Sequence, residues 1–106
     1  SVNVKVTPLH GGQAYVCPID LPAYRAAEKA FQDTFSKLPI PVRSGGSIPI
    51  IAGFDRILGT KSVLMGFGLE SDAIHSPNEN FPLANFYKGM ETIAHFYGHF
   101  VEEMKK

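Results

Sequence analysis

The chain begins with an alternation. Val2, Val4 and Val6 are apolar, and Ser1, Asn3 and Lys5 around them are polar. A period of two predicts a half-buried strand. Pro8, Gly11 and Gly12 break it. Residues 14–19 are extended and apolar, a second strand or a linker. The period then lengthens. Between Asp20 and Leu38, Tyr24, Ala27, Phe31, Thr34 or Phe35, and Leu38 recur every three or four positions. That spacing predicts a helix burying this stripe. Pro22 suits its first turn, and Pro39 and Pro41 stop it. Residues 40–43 read as a short strand.

A second helix is predicted behind the Gly45-Gly46 turn. Ser47 is its N-cap, Pro49 lies in its first turn, and Gly59 closes it as a left-handed glycine. Residues 61–68 are largely apolar, the pattern of a central strand. The last helix is expected from about Leu83 to about Met104. Its buried stripe is Leu83, Phe86, Tyr87, Met90, Ile93, Ala94, Tyr97, Phe100, Val101 and Met104. From residue 20 onward the order is helix, strand, helix, strand, helix. This predicts an α/β layer with parallel strands, the tail of a larger α/β domain.

Composition adds limits. The 106 residues make one domain or part of one, with 44% hydrophobic and 19% charged residues. Ten basic and ten acidic residues balance, so no charge excess favours nucleic acid or an anionic membrane surface. No apolar run approaches the roughly 18–20 residues that span a bilayer. The first residues lack the apolar core of a secretion signal. Cys17 has no second cysteine to pair with, which suits a reducing cytoplasm, although a piece of a secreted protein would look the same.

Three groupings could carry chemistry. In Arg43-Ser44-Gly45-Gly46-Ser47-Ile48-Pro49, two glycines lead into a helix start, where free N–H groups and the dipole favour an anion. Arg43 offers a planar fork to a carboxylate. A plain turn with an N-cap serine explains the same residues. In Asp72-Ala73-Ile74-His75-Ser76-Pro77-Asn78-Glu79, His75 follows an apolar segment, where α/β folds build their sites. It suits a zinc ligand or a general base. Ser76 and Glu79 also fit a capping box, with His75 as an ordinary loop residue. Finally, Glu91, His95 and His99 share a helix face, suited to a metal but more simply read as a solvated face. His10 and Cys17 have no neighbour in sequence that would activate them.

The segment from Val42 to Ile50, followed by a helix, an apolar stretch ending Gly66-Phe67-Gly68, and residues 72–97, resembles the C-terminal part of a family of co-catalytic zinc peptidases. This is the aminoacylase, carnosinase and succinyl-diaminopimelate desuccinylase family, and the likeness is strongest to its dipeptidase branch. It extends across nearly the whole chain. It implies that residues 1–16 end the lid or dimerisation domain and that 17–106 belong to the catalytic α/β domain. His75 would ligate one zinc of a two-zinc centre. Gly46 and Ser47 would hold the substrate carboxylate, with Arg43 beside them. Ser44 stands where family members usually carry an acid. Asn78 and Glu79 match the motif without being ligands.

The implied reaction is attack of zinc-bound water on a peptide carbonyl, with a glutamate as base. The family's other ligands, its bridging aspartate and its base have no counterpart in these residues. The resemblance therefore implies a fragment of a cytoplasmic, homodimeric hydrolase of peptides or N-acyl amino acids, inactive alone. The alternative is a non-catalytic module of the same ancestry, kept for self-association or for binding small carboxylates.

Overall fold

The computed structural model describes residues 1–44 and 48–106. They divide into two compact units: Ser1–Cys17 with Val42–Ser62, and Pro18–Pro41 with Val63–Lys106.

In the first unit, α2 spans Ile50–Gly53 and widens into one π turn over Phe54–Leu58. Gly59 ends it at φ 64°, with its N–H donating to Asp55 O at 3.0 Å. Glycine takes this left-handed conformation without a Cβ penalty, as the sequence pattern required. Lys61 Nζ donates to Asp55 Oδ1 at 2.6 Å. The Tyr15 hydroxyl donates to Ser62 O at 2.9 Å and accepts from Ser62 N–H at 3.0 Å, pinning the two stretches of this unit. Gly12 passes against Pro49 so closely that a Cβ on it would lie 2.5 Å from the proline Cβ. Burial pushes the Cys17 thiol up, and a hydrogen bond with Tyr15 only partly offsets this. A thiol held protonated is a weak nucleophile.

The second unit is built on α1, Pro22–Phe35, and α3, Leu83–Met104. Pro22 opens α1, where no N–H is needed. Ser36 ends it in the left-handed region at φ 54°, before Leu38, which is exposed rather than part of the buried stripe. The helices run antiparallel. Arg25 and Lys29, early in α1, meet Glu103 at the end of α3, while Thr34 meets Thr92 near the middle of α3.

Small residues make the contact. Ala26, Ala30 and Thr92 are fully buried, and Ala27, Thr34 and Gly89 are buried beside them. Without long side chains between them, the two backbones approach closely. The Thr34 and Thr92 hydroxyls lie 2.7 Å apart, with Ala30 O 2.9 Å from Thr34 Oγ1 and Lys88 O 2.7 Å from Thr92 Oγ1; one hydroxyl donates to its own helix carbonyl while the other donates across the contact, so both buried groups are satisfied. Glu103 is buried among Arg25 Nε at 2.9 Å and Lys29 and Lys106 Nζ at 2.6 Å. These three cations hold its carboxyl well below the usual carboxylate range.

The expected helix–strand–helix–strand–helix α/β layer is overturned. Among the described residues there are helices, one 3₁₀ turn and extended connections, and no strand. The reason is physical. A β pattern becomes a strand only when a neighbouring backbone pairs with it. Val2, Val4 and Val6 are 89%, 78% and 82% exposed, without such a neighbour. Pro39 and Pro41 lack the N–H groups that a ladder uses. Phe67 is anchored otherwise: its carbonyl accepts from Asn85 Nδ2 at 3.0 Å, and its ring stacks on Phe31 at 5.3 Å. That ring lies against Gly89, where a Cβ would come within 3.2 Å.

The helix α3 has the expected bounds but turns a different face inward. Gly89, Thr92 and Glu103 are buried, whereas the predicted stripe from Leu83 to Met104 is largely exposed. Leu83, Phe86, Tyr87, Met90, Ile93, Tyr97, Val101 and Met104 remain 42–71% exposed.

Candidate metal-ligand loop and carboxylate turn

Residues 69–81 form the loop that carries His75. A 3₁₀ turn over Glu70–Asp72 opens it. Asp72 is 1% exposed and ties the loop at both ends. Its Oδ2 accepts from Leu69 N–H at 2.8 Å, and its carbonyl accepts from Asn80 N–H at 2.9 Å. Between these ties, Ser76 N–H donates to Ala73 O at 2.9 Å and Glu79 N–H to Ser76 O at 3.2 Å. The Ser76–Glu79 pair thus forms a turn and not a capping box, since α3 begins only at Leu83. Gly68 approaches the same loop, and a Cβ there would lie 3.6 Å from Asp72 Oδ2.

The backbone of this loop is unusual. Ala73, His75 and Asn78 all have left-handed φ, at 53°, 60° and 64°. Asparagine and histidine visit this region more readily than most residues; alanine gains nothing from it. Strain of this kind persists where surrounding hydrogen bonds over-determine the chain, and it concentrates at functional sites. His75 is exposed at the tip of this tied loop.

Does the loop fit a zinc centre? A catalytic zinc takes three protein ligands and a structural one four. Asp72 is turned inward onto Leu69 N–H, and its Oδ1 is buried with no hydrogen-bond partner. Among the described residues, the one group of three or more converging donors is Asp33, His95 and His99, which does not include His75. The residues around His75 therefore do not by themselves fit the family's two-metal centre.

For the carboxylate turn, Arg43 is described in the first unit as an exposed residue of an extended stretch. Gly46 and Ser47 lie outside the described residues. The expectation for their turn, including Ser47 as N-cap, therefore rests on sequence.

On the second unit, His95 and His99 do something the sequence reading missed. With Glu91 they share one face of α3, which the pattern reads more simply as solvated. Instead both turn to Asp33 of α1. Asp33 Oδ2 lies 2.7 Å from His99 Nε2 and 3.1 Å from His95 Nδ1. The two imidazoles, chiefly His99, hold the Asp33 carboxyl below its ordinary range. The sequence signal was present in part, since the histidines are four apart; Asp33 is more than sixty residues away and carried none.

No helix among the described residues is long and apolar enough to cross a membrane.

Comparison with known proteins gives a consistent picture. The family described as peptidase family M20/M25/M40 matches residues 2–99. A Cys-Gly metallodipeptidase of Candida albicans is 36% identical over 97 residues, covering 89% of this chain and 20% of that protein. The Cys-Gly metallodipeptidase of Saccharomyces cerevisiae is 34% identical over 94 residues, with coverage of 89% and 20%. Human Beta-Ala-His dipeptidase is 32% identical over 87 residues, with coverage of 82% and 17%. The chain thus spans about one fifth of the length of these relatives. No solved structure matches the chain.

Proposed function

The chain belongs to peptidase family M20/M25/M40, and from that premise we propose that it is the C-terminal segment of a zinc-dependent dipeptidase. In this reading His75 supplies one metal ligand. Gly46 and Ser47, with Arg43 beside them, receive the free carboxylate of the substrate. Residues 1–16 end the lid domain, and 17–106 complete the catalytic domain. The parent enzyme is a cytoplasmic homodimer acting on dipeptides or N-acyl amino acids. The chain alone is inactive, because one histidine does not make a zinc site.

One observation carries the reading. The family model matches residues 2–99, nearly all of this chain, yet the chain covers only about a fifth of the Cys-Gly metallodipeptidases it resembles. The exposed apolar face of α3 supports it, since stable small domains do not leave so many large apolar residues uncovered. The remainder of the parent chain would cover that face.

The test is hydrolysis. The 106 residues, supplied with zinc and a dipeptide such as Cys-Gly, should show no turnover above buffer. Zinc-dependent turnover that disappears in His75→Ala would overturn the claim that the segment is inactive alone.

A further inference from the structure

We propose that Asp33, His95 and His99 form a surface site for a divalent transition-metal ion, distinct from His75, which clamps α1 to α3. Donors converge there from two helices. His95 and His99 lie one turn apart on α3, the spacing that puts two imidazoles on one face. Their rings stack, with centroids 6.4 Å apart and planes 28° from parallel. Asp33 enters from α1, and one of its oxygens stands within hydrogen-bond distance of a nitrogen on each ring. The three ligand atoms all lie within 4.8 Å of one another.

That spacing is close to what an ion needs. Ligands at about 2.0–2.2 Å in a tetrahedral shell stand roughly 3.3–3.6 Å from each other. The two Asp33–histidine distances, 2.7 and 3.1 Å, must open by only a fraction of an ångström to admit an ion. The ion then takes the place of the protons now shared between the carboxylate and the rings. All three side chains are reachable from solvent, with 40%, 43% and 29% of their surface exposed. The fourth position is left to water.

Two imidazoles and one carboxylate select zinc, copper or nickel over magnesium or calcium, which prefer all-oxygen shells. The site uses none of the residues in the proposed catalytic reading and stands or falls separately from it. Its consequence is mechanical. An ion there ties the two helices of the second unit at a further point, besides the Glu103 cluster and the Thr34–Thr92 pair.

The experiment is zinc stoichiometry by equilibrium dialysis on the intact natural protein, in four forms: wild type, His75→Ala, His95→Gln with His99→Gln, and Asp33→Asn. The wild type should hold one zinc more per chain than the double histidine variant. Asp33→Asn, which keeps the shape of the side chain, should weaken that ion at least about tenfold. Because the ion binds only the folded state, zinc should also raise the melting temperature of the wild type more than that of the double variant. His75→Ala should leave this ion in place, whatever it does to others. Equal zinc content in the wild type and the double variant would overturn the site. Loss of the ion in His75→Ala but not in the double variant would do the same.

Discussion

In the proposed parent enzyme, His75→Ala should lower dipeptide hydrolysis by at least about 100-fold and release a bound metal ion. The magnitude has a lower bound from simpler losses: removing a group that merely orients a metal ligand commonly costs 10–100-fold in affinity or activity. Removing a ligand itself costs more. The loop is suited to this role. It is tied at Leu69 and Asn80 to the buried Asp72, which fixes the position of the backbone at His75. A left-handed histidine between such ties is a conformation held by its surroundings. His95→Ala, on the other face of the argument, should leave hydrolysis within about twofold. Measured kcat/KM and metal content for both variants check this. An active, fully metallated His75→Ala enzyme would remove His75 from the site.

The second large effect is on stability. Ala30→Leu should destabilise the second unit by about 1–3 kcal/mol, the usual cost of forcing extra methylenes into a packed contact. Ala30 is fully buried at the crossing of α1 and α3, next to Thr34 and Thr92. A leucine there must part the helices or break the hydroxyl pair. For a unit of this size that is a fall of roughly 4–8 °C in melting temperature per kcal/mol. Denaturant unfolding of wild type and variant would show it. A change within about 0.5 kcal/mol, the range of ordinary surface substitutions, would mean that the contact is looser than described.

These residues also show what the sequence made legible. The bounds of α3 could be read from its period, the start of α1 from Pro22, and the close of the α2 segment from Gly59. Such signals are local and chemical, so they survive without tertiary context. The inward face of α3 could not be read so simply. Periodicity favours the largest apolar residues, and here the contact is made by Gly89 and Thr92 against Ala26 and Ala30. Small residues contribute little to an amphipathic pattern, though they decide how closely two helices meet. The strands failed for the opposite reason. Val2, Val4 and Val6 carry a sound local signal, but pairing is non-local, and no ladder forms among the described residues. The expectation for His75 comes from a motif. The tie to Asp72 and the left-handed backbone around it left no mark on composition or period. Asp33 could not be paired with His95 and His99 before the two helices were seen side by side.

The central claim is that this segment works as one corner of a much longer hydrolase. The most direct measurement is the intact mass of the natural protein in its source cells, detected with an antibody to this segment. The account predicts a polypeptide several times 11.6 kDa, in line with relatives of which this chain spans one fifth. A native product near 11.6 kDa would contradict it, and the family likeness would then record ancestry rather than present catalysis.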